Sequence, residues 1–198
     1  MEKLRITQTL LSAWEYSFKT DSGYDDFLKT INREPKQPTT AMLDGIQYES
    51  VLNNVLKGEP ISEDHKWYKV ITEMADELSG AQQQVSLFRE TDIVYCGYQV
   101  LIHGILDYLK AGHIFDCKYS KRYALNKYFQ SPQHPLYLSL VPEALDFTYI
   151  VSDGTYVYHE RYPREIVPPI EPEIKHFLDY CKQHGLWETL SEKWRVNE

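Results

Sequence analysis

An aspartate and a lysine stand two residues apart in the apolar segment HIFDCKY, residues 113–119. The β-branched and aromatic residues of this segment predict a strand. Side chains two apart on a strand point to the same face, so Asp116 and Lys118 are expected side by side, with Ile114 on that face. A carboxylate and an ammonium group are thus held together on an apolar strand, although such a pair alone is typical of a solvated or ion-paired face.

A second carboxylate, Asp107, lies at the polar end of the preceding predicted strand, residues 98–109. The link of residues 110–112 is short enough for an antiparallel hairpin, which would bring Asp107 close to Asp116. Adjacent carboxylates repel each other unless a cation joins them, and Mg²⁺ or Mn²⁺ is the hard, oxygen-preferring ion expected in such a site. An isolated aspartate at a strand end is otherwise usually a turn residue.

The third carboxylate, Glu49, belongs to a predicted helix that starts at Thr39 or Thr40 and runs to Leu56. At about 100° per residue, Glu49 falls inside the apolar stripe of this helix. The stripe consists of Met42, Gly45, Ile46, Leu52 and Leu56. An ionised group directed at a core is costly without a charge partner, which a metal site on the sheet would supply. A single glutamate in an apolar stripe can also extend its carboxylate to solvent.

The spacing of apolar residues changes along the chain between the period of a helix and that of a strand, which predicts the elements that would position these residues. Helical patterns cover residues 7–19, 24–31, 39–56, 63–78, 173–185 and 186–194. Strand patterns cover residues 82–90, 98–109, 113–119, 147–151 and 155–160. Residues 120–141 are also predicted to be helical, in two pieces because prolines interrupt them. This order predicts a mixed α/β, or α+β, fold in a single domain of residues 1–198, with a C-terminal hairpin and helices at 145–198.

Composition excludes several classes of protein. Hydrophobic residues make up 42% and charged residues 25% of the 198 residues, which is typical of a globular chain. No apolar run approaches the ~20 residues that span a bilayer, and the N-terminus lacks a signal-peptide pattern. Three scattered cysteines favour neither a disulfide framework nor a metal site, so a reducing, cytoplasmic location is expected. The net charge of −8 argues against binding nucleic acid through a broad basic surface, though not in one local groove.

The segments GIQYE (45–49), GILDYL (104–109) and DCK (116–118) resemble, in this order, the PD-(D/E)XK nuclease superfamily. They are most similar to its RecB-type and phage-exonuclease branch, which commonly carries Gly-x-x-x-Glu or His on a helix, Gly-x-x-Asp on a strand and Gln-x-x-x-Tyr on a later helix. In this chain QHPLY supplies Gln133 and Tyr137, one helical turn apart. The resemblance covers about residues 40–140. The third motif has aspartate where glutamate is frequent, and the four cysteines of an iron–sulfur cluster are absent.

The resemblance implies a restriction-endonuclease-like core and a metal-dependent nuclease site. By it, Asp107, Asp116 and the backbone carbonyl of Cys117 would hold Mg²⁺ or Mn²⁺, and Glu49 would do so directly or through water. The ion would lower the pKa of bound water and neutralise charge on the scissile phosphate.

The remaining roles that the resemblance implies concern substrate. Lys118 would position the attacking water or stabilise charge on the phosphate oxygens. Gln133 and Tyr137 would hydrogen-bond substrate or brace Lys118. Three basic residues that follow the DxK strand could contact phosphates or could equally form a solvated face: Lys121, Arg122 and Lys127.

The expected activity is hydrolysis of DNA phosphodiester bonds by an exonuclease acting in recombination, repair or phage DNA processing. DNA ends or single strands are the expected partners, because a chain of net charge −8 lacks a broad positive track for duplex. A homo-oligomer or a recombination partner protein would be compatible with this role. Two alternatives stay open: a non-catalytic binding module that retains the nuclease fold, favoured by the tyrosine-rich segment 147–159, and a nuclease of the same fold that acts on RNA.

Overall fold

A computed structural model describes residues 1–196, apart from the side chain of Asp21. The helices are α1 (Gln8–Tyr16), α2 (Asp21–Ile31), α3 (Thr40–Leu56), α4 (Tyr68–Leu78), α5 (Gln133–Leu140), α6 (Glu171–Gln183) and α7 (Trp187–Trp194). The strands are β1 (Glu2–Thr7), β2 (Gln82–Tyr95), β3 (Tyr98–Lys110), β4 (His113–Tyr119), β5 (Asp146–Ser152), β6 (Val157–Pro163) and β7 (Arg195–Val196). A short 3₁₀ turn spans Arg164–Ile166.

The strands form one mixed sheet. Its order is β6-β5-β4-β3-β1-β7, and β2 pairs with β3 as well. β1 is parallel to β3 and β4 is parallel to β5, whereas the other neighbouring strands are antiparallel. With helices on both faces, this sheet confirms the predicted class, a central mixed sheet flanked by helices.

Strand β3 has two neighbours in succession along one of its edges. β1 pairs with its first part, from Tyr98 to His103, and β4 pairs with its last three residues, from Tyr108 to Lys110. β2 follows β3 along the opposite edge over nearly its whole length. Among the described residues, the stretch 104–107 is therefore hydrogen-bonded to no strand on the first edge, although β4 continues to Tyr119. We call the place where β4 and β3 separate the β3 crevice.

Two apolar layers hold the helices against the sheet. On one face α1, α2, α5, α6 and α7 pack on a cluster that includes Leu4, Ile102, Ile114, Leu136 and Phe177. On the other face α3 and α4 cover a cluster that includes Tyr48, Leu52, Met74, Tyr108 and Ile150. Successive residues of β4 join opposite clusters, Ile114 the first and Phe115 the second, as its alternating pattern predicts.

Several boundaries differ from the sequence predictions. Residues 2–7 form β1, which was not among the predicted strands, and the first helix begins only after it and ends at Tyr16. The helix predicted from residue 63 begins at Tyr68. In the intervening segment, Ser62 Oγ accepts from the amide of Asp64 and His65 Nδ1 accepts from the amide of Trp67, at 3.3 and 3.2 Å. Such side-chain acceptors compete with helical hydrogen bonds, which explains the late start.

The helix predicted across residues 120–141 was wrong for its first half. Only α5 is helical, and residues 120–132 are turns and loop. The backbone amides of Lys127 and Tyr128 donate to the buried carboxylate of Glu160, and the Lys127 amide also donates to the Ala124 carbonyl in a turn. A long-range partner of this kind cannot be read from local pattern. Within residues 1–196, no helix combines the length and apolar character needed to cross a membrane.

Candidate active site

Asp107 lies at the end of the β3 crevice, next to the β3–β4 hairpin. The pairing of Tyr108 with Phe115, continued by one residue, places Asp107 opposite Asp116. On its other side, Asp107 Oδ1 accepts a hydrogen bond of 3.4 Å from Gln84 Nε2 on β2. Gln84 has a φ of 51°, an uncommon left-handed conformation for a residue other than glycine. The structure thus brings the two aspartates together, with an unusual backbone conformation beside them.

Asp116 is the most enclosed carboxylate of this group, with a side chain that is 2% exposed. Gln133 Nε2 donates to its Oδ1 at 2.5 Å, and Lys118 Nζ lies 2.7 Å from its Oδ2. The ammonium group of Lys118 is thus the charge partner of the buried Oδ2. A carboxylate oxygen accepts at two lone pairs, so Oδ2 can take a further ligand beside Lys118.

The charges at the site interact strongly. Burial and the neighbouring Asp116 carboxylate raise the pKa of Asp107 well above its usual range, and Lys118 only partly offsets this. Burial would lower the pKa of Lys118, but the Asp116 carboxylate outweighs burial and the pKa is raised overall. Lys118 is therefore a cation at neutral pH, and one ammonium group serves two carboxylates that repel each other.

Helix α5 carries two side chains to the same place. Gln133 begins the helix and reaches Asp116, and Tyr137 follows one turn later. Burial, followed by the charges of Asp116 and Asp107, raises the pKa of Tyr137 to about 12, so its phenol stays protonated. Gly104 allows this approach, because a Cβ built there would lie 2.6 Å from Tyr137 Cε1. The glycine of the Gly-x-x-Asp motif thus lets α5 pack closely on β3.

Glu49 acts on Asp107 less strongly than Asp116 does. Its side chain is half-buried on α3, and its charge is among the weaker influences on Asp107. The apolar stripe predicted around it is confirmed only in its second half: Leu52 and Leu56 pack beneath the helix, whereas Met42 and Ile46 are 54% and 59% exposed. Tyr48, which was not in the predicted stripe, is buried there as well. Glu49 therefore lies beside the packed face of α3 rather than at its centre.

The two aspartates fit a hard divalent cation. One ammonium group, that of Lys118, faces two carboxylates, and burial together with the Asp116 charge disfavours ionisation of Asp107, so a cation between the aspartates would satisfy both. Within residues 1–196, no group of three or more His, Cys, Asp or Glu side chains is arranged to hold a metal ion. Mg²⁺ often takes only one or two carboxylates and keeps several waters, so two aspartates suffice and Glu49 fits a contact through water.

Tyr128 is a site neighbour that sequence reasoning missed. The charges of Lys118 and Asp116 both act on its phenol, whose pKa is raised to about 12, chiefly by burial. Its ring stacks on Tyr149, with ring centroids 4.6 Å apart. No local signal marks this residue, because it lies in the irregular segment 120–132 and owes its position to Glu160.

The three basic residues after β4 have different surroundings. Lys121 Nζ forms an ion pair of 2.5 Å with Asp44 on α3, and Lys127 Nζ donates to Ser120 Oγ at 2.7 Å. Arg122 is exposed. Lys121 thereby ties the start of this loop to α3, and all three remain at the surface.

Several other titratable side chains have structural partners. Cys117 packs in the cluster beneath α3 and α4, where burial raises the pKa of its thiol. His103 stacks on Phe88, with ring centroids 4.1 Å apart. His134 stacks on Tyr162 at the same distance, and burial lowers its pKa to about 4. These three side chains pack against neighbouring residues, so the two aspartates and Lys118 are the charged groups on which the candidate site depends.

Comparison with known proteins supports the fold. No protein-family model matches the chain, and no curated protein matches it in sequence. The crystal structure of SSO0001 is similar, with a TM-score of 0.51 and 18% identity over 93% of this chain and 77% of that chain. A crystal structure of LHK-Exo in complex with dAMP has a TM-score of 0.48 and 15% identity over 95% of this chain and 92% of that chain. At these identities the likeness concerns the fold alone.

Proposed function

We propose that this chain is a metal-dependent nuclease that hydrolyses DNA phosphodiester bonds. The observation that carries the proposal is the closeness of the Asp107 and Asp116 carboxylates at the β3 crevice, with Lys118 2.7 Å from the second carboxylate. Two adjacent carboxylates with one cationic side chain suit a divalent ion and a phosphate group. The resemblance of the surrounding segments to the PD-(D/E)XK superfamily supports the same chemistry.

Asp107 and Asp116 would hold Mg²⁺ or Mn²⁺, with the backbone carbonyl of Cys117 as a further ligand and Glu49 acting through water. When bound, the ion lowers the pKa of a water molecule and offsets negative charge on the scissile phosphate. Gln133 keeps Asp116 in a single orientation through its hydrogen bond to Oδ1. A fixed carboxylate loses less entropy when it gains a ligand.

The other side chains act on the substrate. Lys118 is held as a cation by Asp116 and stabilises charge that develops on the phosphate oxygens. Tyr137, with a pKa of about 12, remains a hydrogen-bond donor throughout the neutral range. It contacts a phosphate oxygen or braces Lys118. Each role needs the group in the protonation state that its surroundings favour.

We further propose that the substrate is a DNA end or a single strand, so that the enzyme is an exonuclease. A chain of net charge −8 has little positive surface to hold continuous duplex. The crevice is a local opening beside one strand edge, flanked by α5 and α3. A single terminus can enter such a site without long-range electrostatic support.

The proposal is tested by incubating the protein with linear duplex DNA, covalently closed circular DNA, single-stranded DNA and RNA, each with Mg²⁺ or Mn²⁺. Linear and single-stranded DNA should be degraded, and closed circles should persist. EDTA should stop the reaction, and Ca²⁺ should support little turnover because it holds its ligands loosely. Equal degradation of closed circles would contradict the exonuclease assignment, and cleavage of RNA alone would contradict the substrate.

A further inference from the structure

A cavity lies on the α1 side of the segment that leads into Gln133. It is a cavity of about 480 Å³ between the second half of α1 and residues 126–132. Ser131 and Pro132 line it, and the next residue is Gln133, which donates to Asp116. The cavity therefore adjoins the site through consecutive residues of one segment. Its volume lies in the range that small-molecule sites and single nucleotides occupy.

The lining of this cavity combines aromatic and cationic groups. Phe129 and Tyr16 contribute rings that are 68% and 47% exposed. Lys19 and Lys127 contribute exposed amines. The acidic lining residue is Glu15, whose pKa is raised by burial. Two lysines face one glutamate here, whereas the chain as a whole has a net charge of −8. Rings stack on bases and lysines pair with phosphates, as in single-strand binding sites.

The wall that carries Phe129 is fixed although it has no regular secondary structure. The buried carboxylate of Glu160 accepts hydrogen bonds from the amides of Lys127 and Tyr128, at 3.0 and 3.2 Å. It also accepts from the hydroxyls of Tyr123 and Tyr162, at 2.6 and 2.9 Å. Four donors on one buried carboxylate hold the segment in place before any ligand arrives. A preformed wall lowers the entropy lost on binding.

We infer that this cavity binds the nucleotide next to the scissile bond at a single-stranded DNA end, with its base on Phe129 and its phosphate near Lys19 and Lys127. The inference rests on the proposed nuclease function, because it takes the aspartate pair as the place of cleavage. Every base has a face that can stack, so recognition here is independent of sequence. The cavity supplies affinity for single-stranded DNA that the overall negative charge of the chain does not supply.

The test measures binding of a short, internally labelled single-stranded DNA by fluorescence anisotropy, in Ca²⁺ to limit cleavage. Phe129→Ala should weaken binding by about 5- to 150-fold, the range expected for loss of one stacking contact, and Phe129→Trp should restore it. Lys19→Ala should reduce the slope of log affinity against log salt by about 0.7. Tyr156→Ala removes a ring that is 60% exposed at the β5–β6 turn, and it should bind as the wild type does.

The outcomes separate this inference from the proposed function. Binding of Phe129→Ala within twofold of the wild type overturns the inference, even if the wild type cleaves DNA as proposed. Conversely, the wild type could fail to cleave DNA while Phe129→Ala weakens DNA binding. That result would refute the proposed nuclease activity and would support nucleotide binding in the cavity. Mn²⁺ affinity, measured by calorimetry, should be equal in the wild type and Phe129→Ala. A loss of metal affinity would place Phe129 in the metal site and contradict the inference.

Discussion

Replacement of Gly104 by alanine should disturb the site through a single methyl group. A Cβ at this position would lie 2.6 Å from Tyr137 Cε1 and 2.7 Å from Leu140 Cδ1, whereas ordinary contact begins at 3.4 Å. The ring and the methyl group must therefore retreat by roughly 0.8 and 0.7 Å, or β3 must move away from α5. Overpacking of a dense core costs about 1–3 kcal/mol, which corresponds to a fall in Tm of roughly 2–12 °C for a chain of this size.

The same displacement should reduce cleavage. Tyr137 is held close to Asp107 and Asp116, and a shift of about 1 Å at a catalytic constellation can cost on the order of 100-fold in rate. Thermal unfolding of the metal-free protein and the initial rate of linear DNA degradation are the two assays. Metal affinity should change less than the rate, because the aspartates themselves are not displaced directly.

Two further variants test whether the clash at residue 104 causes these effects. Gly45→Ala introduces a methyl group on α3 with nothing within 4 Å of it. The substitution should leave Tm unchanged or raise it, because the higher helix propensity of alanine adds up to about 1 kcal/mol to the free energy of unfolding. In a Leu140→Ala background, the cost of Gly104→Ala should shrink because one of its two clashes is gone. Wild-type stability and activity in Gly104→Ala would refute the close-packing argument for this glycine.

Three further predictions concern charge at and near the site. Asp107→Asn should raise the Tm of the metal-free protein at pH 8, because burial and Asp116 disfavour the negative charge of Asp107. Saturating Mn²⁺ should stabilise the wild type more than the variant. A lower Tm of the metal-free variant would contradict repulsion between the two aspartates. Lys118→Met should retain Mn²⁺ binding by calorimetry and lose turnover, and loss of binding would overturn its assigned role. Burial lowers the pKa of His134 to about 4, so the unfolded chain takes up a proton at this residue before the folded chain does as pH falls. In denaturant titrations, the free energy of unfolding of the wild type should therefore fall by up to about 3 kcal/mol more than that of His134→Phe between pH 7 and pH 4. An equal fall in both proteins would refute this prediction.

The hairpin was predictable because its signals are local. Alternation along β4 assigns Asp116 and Ile114 to one face, and the short link after β3 sets the register that places Asp107 opposite. The fold class follows from the order of helical and strand patterns. Each of these inferences depends on residues that are near one another in sequence.

The parts that could not be predicted depend on distant residues. β1 has only a short polar–apolar alternation, with Leu4 and Ile6 buried, and it is defined by its parallel pairing with β3, nearly 100 residues later. The face of α3 is selected by Trp67, Met74 and the sheet, so Met42 and Ile46 stay exposed although they look like core residues. The turns of residues 120–132 depend on Glu160. Tertiary contacts of this kind override local propensity.

The central claim is that Asp107 and Asp116 hold a divalent ion at which DNA is cleaved. The most direct measurement is the initial rate of degradation of linear DNA as Mn²⁺ is titrated, for the wild type and Asp116→Asn, with folding of both checked by circular dichroism. We predict a rate that rises from zero and saturates for the wild type, and no cleavage at any Mn²⁺ concentration for the folded variant. Full-rate cleavage in EDTA, or an Asp116→Asn variant as active as the wild type, would contradict the account.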